Sequence, residues 1–310
     1  LADSYNKGTV HAEEGAKIAG VNMGGIFGLN TYINSNKKGP TTNTTNDGEV
    51  KFGASNKDAS TANTTRIGGI VGYGQSTLSS IINNGKITLY GTRNANGTIS
   101  QGSNNFRSGT YVVAGIAGYK TEGKIENCEN HGDIEIAGTL RELHATNKTE
   151  WKISGICSYL STNLVGSCVC DGEIIISGTI EGEANIGGKI AFTYGDQDSE
   201  TSNTNITIKK GAVLSGGAII GGVICWTSMV TASHCTNYGT ITIEEGATIG
   251  TKCYIGGCVG MFLGIRTSAK TAENMKNHGA IINNGTLTNG GVIGGTLGYA
   301  KAAADYTYDG

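Results

Sequence analysis

The sequence predicts an all-β chain folded as a β-solenoid (parallel β-helix-like) of about eight coils, with three short strands per coil and loop insertions on one side. Three observations carry this expectation. A glycine-rich heptapeptide recurs eight times, an Asn-x-Gly turn recurs between its copies, and differences in length collect at one point of each unit. Strands this short cannot bury a face alone, so they are stabilised by stacking on their neighbours.

The heptapeptide reads MGGIFGL (23–29), IGGIVGY (67–73), VAGIAGY (113–119), ISGICSY (153–159), IGGKIAF (186–192), IGGVICW (220–226), IGGCVGM (255–261) and IGGTLGY (293–299). Its third residue is Gly25, Gly69, Gly115, Gly155, Gly188, Gly222, Gly257 and Gly295, at separations of 44, 46, 40, 33, 34, 35 and 38 residues. Taken as one strand, its alternate residues share a face. The core side would then carry the first column (Met23, Ile67 and their counterparts), the Phe27 and Val71 column, and a large residue: Leu29, Tyr73, Tyr119, Tyr159, Phe192, Trp226, Met261, Tyr299. The other face would carry Ile26, Ile70, Ile116, Ile156, Lys189 and Thr296, partly exposed and open to packing by loops or a partner.

The second element is the turn: NKGTVH (6–11), NDGEVK (46–51), NNGKIT (83–88), NHGDIE (130–135), CDGEII (170–175), NYGTIT (237–242) and NHGAII (277–282). Asn tolerates turn geometry, and stacked Asn side chains can hydrogen-bond along a solenoid, so Asn6, Asn46, Asn83, Asn130, Asn237 and Asn277 read as structural. A third strand precedes the turn, as in IENCEN (125–130), VGSCVC (165–170) and ASHCTN (232–237). A β-propeller also has periods near 40 residues, but its blades need four strands where three are legible here.

Several functions are disfavoured by composition and spacing. A net charge of −2 gives no footprint for nucleic acid or anionic lipid. No stretch approaches the roughly 20 apolar residues of a membrane span. A dinucleotide site needs one glycine-rich turn between a strand and a helix, whereas RIGGIVGY (66–73) belongs to an eightfold repeat with no Gly-x-x-x-x-Gly-Lys-Ser/Thr. No cofactor is expected.

Cys128, Cys168 and Cys235 share a column with Ile81 and Met275, as buried thiols would, and Cys157, Cys225 and Cys258 fall inside the apolar heptapeptide. A Cys225–Cys258 bridge between coils is the one disulfide considered, and Cys168 with Cys170 supplies too few ligands for zinc. His131 and His278 share a mixed polar turn column, which reads as solvated. The acidic cluster GDQDSE (195–200) lacks the spacing of a calcium loop, and no metal is assigned. No regular threonine array exists after the turn glycine. The column of Tyr73, Tyr119, Tyr159 and Tyr299 is the candidate ligand-contact stripe, against the plainer reading of a core ladder.

IGGIVGYGQSTLSSIINNGKI (67–87) and VAGIAGYKTEGKIENCENHGDI (113–134) resemble the GLUG-motif repeats of bacterial cell-surface proteins. Copies five and six depart most, at Lys189 and in TSNTNITIKKGA (201–212). The resemblance implies an adhesin-like protein at the bacterial outer surface or outside the cell, without catalytic residues. Residues 1–310 are expected to form one repeat domain; the abrupt DYTYDG ending reads as part of a longer surface protein. The expected function is a non-enzymatic adhesin or stalk, meeting a host or bacterial surface glycan or protein through loops at 30–45, 54–65, 92–110, 139–150 and 193–204. The alternative is a carbohydrate-active solenoid, either lyase or glycoside hydrolase.

Overall fold

The computed structural model describes residues 1–13, 21–31, 39–53, 65–91, 111–140, 150–162, 164–165, 167–228, 230–250, 252–263 and 271–301. Among these residues there is no helix. Parallel strands stack in register into eight coils of a β-solenoid, as the repeat predicts. Three sheets run through all eight coils. The second sheet, after the Asn-x-Gly turn, begins at Val10–Ala12 and ends at Ile281–Asn283. The third runs from Val21–Gly24 to Val292–Gly294, and the fourth from Phe27–Asn30 to Leu297–Lys301.

The first sheet, before the turn, starts at Tyr5–Asn6 and stops at Leu164–Val165 and Val169–Cys170. Two three-stranded ladders, starting at Gln197–Asp198 and Thr201–Ser202, replace it in coils six to eight. A short fifth sheet, from Thr139–Leu140 to Thr286–Leu287, turns the corner between the second and third sheets in coils four to eight.

Each coil therefore has at least four strands where three were expected. The heptapeptide is the reason: it is two strands, as in Thr65–Gly68 and Val71–Gly74, with a bend at the Gly69 position. Beyond the bend the ladder pairs Ala117 with Cys157 and Tyr119 with Tyr159 but skips Gly118. These two irregularities break simple alternation: the Ile67 and Val71 columns are core as assigned, but the isoleucine column joins them and the large-residue column is only partly buried. Ile70, Ile116 and Ile156 are fully buried and Lys189 nearly so, whereas Leu29 is exposed and Tyr73, Tyr159 and Tyr299 are half-buried. The isoleucine column thus packs inside its own coil, with no outside partner needed to cover it.

Two hydrophobic cores result. One lies among the second, third and fifth sheets, with ladders such as Val50, Ile87, Ile134, Ile174, Ile206 and Ile241. The other lies between the bend, the fourth sheet and the first, with Ile70, Val71, Leu78, Ile81 and Cys128. Each isoleucine taken out of water contributes about 1.5–3 kcal/mol, and the benefit exists only because the coils above and below complete the burial.

The Asn column reaches the bend from the opposite wall. Asn6 donates to Asn46 (2.8 Å), Asn46 to Asn83 (2.8 Å), Asn83 to Asn130 (2.7 Å) and Asn237 to Asn277 (2.9 Å). Each also donates to the carbonyl two residues on, as Asn83 does to Gly85 at 3.0 Å. A Cβ on Gly69 would sit 2.5 Å from Asn83 Cγ and closer still to the Gly115 carbonyl oxygen. Glycine is required there for space. Gly69 is absent from the left-handed residues of the chain.

Within the first sheet and the ladders that replace it, one residue between the two halves of the strand adopts left-handed backbone in seven coils: Asp3, Asn43, Ser80, Asn127, Ser199, His234 and Asn274, with φ between 49° and 59°. Short polar side chains tolerate this region best. Among the described residues, coil five contributes no member to this column.

The inserted segments leave from shared corners. Residues 14–20, 54–64, 92–110 and 141–149 all precede a strand of the third sheet, in coils one to four. Most of the expected loops at 54–65, 92–110 and 139–150 lie outside the described residues, as do 32–38. The other two assignments change. Thr41–Asn46 is a strand, and 193–204 is not a loop: it holds Gln197–Asp198 and Thr201–Ser202, with Gln197, Glu200, Ser202 and Thr204 buried.

Candidate functional site

The tyrosine stripe is built by the register of the fourth sheet. Tyr73 stacks on Tyr119 with ring centroids 5.6 Å apart, and Tyr119 stacks on Tyr159 at 4.1 Å and 5°. Phe192 and Trp226 continue the line at 5.3 and 4.8 Å. Tyr299 stands apart, separated by Met261, and stacks on Tyr254 of the third sheet at 4.7 Å. The structure therefore brings together three of the four candidate contact residues.

Arg66 lies over both Tyr73 and Tyr119, 4.8 and 4.9 Å from their centroids, and donates to Asn22 Oδ1 at 3.1 Å. Burial lowers the Arg66 pKa and raises those of Tyr119 and Tyr159. Stacked rings cover one another's faces, leaving edges and hydroxyls outward, whereas sugar stacking needs an open face. Tyr194, set edge-on to Phe192 and Tyr159 and 47% exposed, is the more open ring.

A different site appears where the first sheet stops. Glu126 pairs with Val165 but Glu129 pairs with Val169, so coil five carries one extra residue between its two short strands. The Val169–Cys170 strand pairs back to coil four, and Thr201–Ser202 pairs forward to coil seven. Bonds that remain across the gap include Asn203 N to Cys170 O (3.0 Å), Thr204 Oγ1 to Cys170 Sγ (2.8 Å), and Gln197, whose side chain bridges Thr162 and Leu164. A cavity of about 340 Å³ lies in this gap, lined by residues that include Cys168, Cys170, Lys189, Asp198, Glu200 and Asn203.

Three regular columns break at this point. Cys170 and Ser202 stand where other coils place the ladder Asn, so the ladder is interrupted. Lys189 occupies the buried isoleucine column. Glu200 precedes Thr201, which pairs with Thr236, and so falls in the column of Cys235 and Cys168. The two charges meet: Lys189 Nζ pairs with Glu200 Oε2, both side chains almost wholly buried. Burial raises the Glu200 pKa, and the lysine opposes that shift.

The neighbouring thiols are also unusual. Val169 N donates to Cys128 O at 2.9 Å, which sets Cys128 and Cys168 side by side in adjacent coils. The adjoining Cys128 side chain lowers the Cys168 pKa, with help from Lys189, while the Cys128 thiol, which faces the Glu126 carbonyl at 3.3 Å, is raised by its neighbour and by burial. Burial pushes the Cys170 thiol up to about 11. All eight cysteines are free and buried. Cys225 and Cys258, the pair considered for a bridge, lie in different clusters, because the glycine bend sends one outward and the other inward.

The remaining candidates disperse. In 195–200, Asp196 accepts from Thr231 N, Asp198 accepts from Ser233 and His234, and Glu200 turns inward to Lys189. Among the described residues, no three His, Cys, Asp or Glu side chains converge as a metal site. His131 bridges Glu129 (3.0 Å) and Asp171 (2.6 Å) at the surface, and both raise its pKa. His278 stacks on Tyr238. Lys120, buried in the fourth sheet, donates to the carbonyls of Gln75 and Glu122, and burial lowers its pKa to about 8.

The Lys189–Glu200 pair and the extra residue of coil five were not assigned roles from sequence. The available signal was a lysine inside an otherwise apolar column of the fifth copy. Among the described residues, no helix is long and apolar enough to cross a membrane. No protein-family model, no curated protein and no solved structure matches this chain.

Proposed function

We propose that this chain is a non-enzymatic, adhesin-like rod of a bacterial cell surface, holding ligand-binding segments on a stiff scaffold. The observation that carries the reading is the placement of four inserted segments, 14–20, 54–64, 92–110 and 141–149, at one corner of four successive coils. Coils rise by about 4.8 Å each, so these segments leave the scaffold within a strip of roughly 15 Å. Loops on a rigid frame are the common place for recognition. The resemblance to GLUG-motif repeats supports a surface location, with a glycan or a surface protein of host or bacterium as the partner.

The pairing of charges on the scaffold favours this reading over the carbohydrate-active one. A glycoside hydrolase needs two carboxylates about 5–10 Å apart on an open face. Several carboxylates here are held by cations instead: Glu135 by Lys86, Glu183 by Lys252 and Glu244 by Lys209. The test is an array of glycans and matrix proteins probed with the chain and with a variant whose 92–110 segment is replaced by a short Gly-Ser linker. Binding that falls at least about tenfold in the variant supports the reading. Turnover of a polysaccharide, or binding indifferent to all four insertions, overturns it.

A further inference from the structure

We propose that Cys168 is a modification site for small hydroperoxides, which enter through the gap between coils five and six and drive formation of a Cys128–Cys168 disulfide. The inference rests on geometry independent of the adhesin reading. Together with Cys170, Cys168 lines a cavity of about 340 Å³ at the break in the first sheet. Cys128 lies beside it in the adjacent coil, tied by the bond from Val169 N to Cys128 O. Lys189 lines the same cavity, its ammonium paired with Glu200.

The adjoining Cys128 side chain and the nearby lysine both favour the Cys168 thiolate, which is the reactive form of the group. Cys170 shares the cavity, but burial makes it a weaker acid, and Thr204 holds its sulfur. The reaction balances in two steps. The Cys168 thiolate attacks one oxygen of ROOH, the O–O bond breaks, and the other oxygen leaves as ROH after taking a proton from solvent. Cys168 is then a sulfenic acid. The Cys128 sulfur attacks it, the S–S bond forms, the S–O bond breaks, and the hydroxide takes the Cys128 proton and leaves as water. Two thiols and one hydroperoxide give one disulfide, one ROH and one water, with two electrons passing from sulfur to peroxide.

The test uses the full chain, fully reduced, exposed to hydrogen peroxide near neutral pH, blocked with iodoacetamide at intervals and mapped by peptide mass spectrometry. The expected result is that Cys168 loses its free thiol about tenfold faster than the other cysteines. The Cys128 and Cys168 peptides then appear joined. A Cys128→Ala variant, checked for native β signal by circular dichroism, should hold the sulfenic acid at Cys168 long enough for dimedone to label it. Equal or faster loss of Cys170 or another thiol overturns the proposal, as does wild-type oxidation of Cys168 without a link to Cys128. The wild-type mapping decides the matter even where the variant fails to fold.

Discussion

Gly69→Ala is expected to destabilise the chain by about 3 kcal/mol or more, near the top of the overpacking range. The same substitution at Gly295 is expected to change stability by no more than about 0.5 kcal/mol. Both glycines hold the same position in the repeat. At Gly69 the new methyl would strike Asn83 from the opposite wall and the Gly115 carbonyl of the next coil; at Gly295 nothing lies within 4 Å. The ladder Asn is held by hydrogen bonds along the stack, and the carbonyl belongs to backbone whose own N–H is bonded to the next coil, so neither retreats easily. Gly222 has the same surroundings as Gly69, with Asn237 and the Gly257 carbonyl in place, and should behave like it. The measurement is the urea midpoint of the three alanine variants against wild type. Equal midpoints for Gly69→Ala and Gly295→Ala would show that crowding is not what keeps this column glycine.

Lys189→Met is expected to cost about 3–5 kcal/mol, because it leaves the Glu200 carboxylate buried without its counter-charge. The paired change Lys189→Met with Glu200→Met should restore the wild-type midpoint or exceed it, by about 1–4 kcal/mol at most. Apolar residues fill both columns in neighbouring coils: Ile156 and Val223 beside Lys189, and Cys168 and Cys235 beside Glu200. The pH dependence has a definite sign. Burial raises the folded-state pKa of Glu200, and losing the lysine removes a lowering influence, so folding of the single variant takes up a proton. Its deficit is therefore largest at neutral pH. It shrinks as pH falls through the raised folded value towards the ordinary glutamate value of about 4.3. Chemical denaturation of both variants across that range checks this; a deficit that grows on acidification would contradict it.

The solenoid was legible because its signal is repetition. Eight glycine heptapeptides and seven turns fix the coil number and the parallel stacking, and the Asn column was readable as a ladder from its spacing alone. The faces of the heptapeptide were legible only in part: the Ile67 and Val71 columns are core as alternation predicts, and the columns of Ile70 and Tyr73 are not as assigned. Alternation holds only along an unbroken strand, and here the backbone bends at Gly69 and the ladder skips the glycine equivalent to Gly72. A glycine that bends the chain and one that merely fits between neighbours are the same letter. For this reason Ile70 reads as outward although it is fully buried, and Tyr73 reads as core although it is only half-buried. The gap at coil five was half legible: Lys189 announced a disturbed column, but its partner Glu200 lay in a segment that reads as a polar loop. Only the three-dimensional register shows that these two positions face each other.

The chain's two tryptophans fall on opposite sides of that gap. Trp151, in coil four, is wholly inside and stacked on Tyr111 at 4.0 Å. Trp226, in coil six, is half-buried in the outer seam beside Phe192. An indole sealed in hydrocarbon and one at the edge of solvent emit at different wavelengths. The two halves of the rod therefore carry distinct native fluorophores, and each half can be followed by its own colour without attaching a dye.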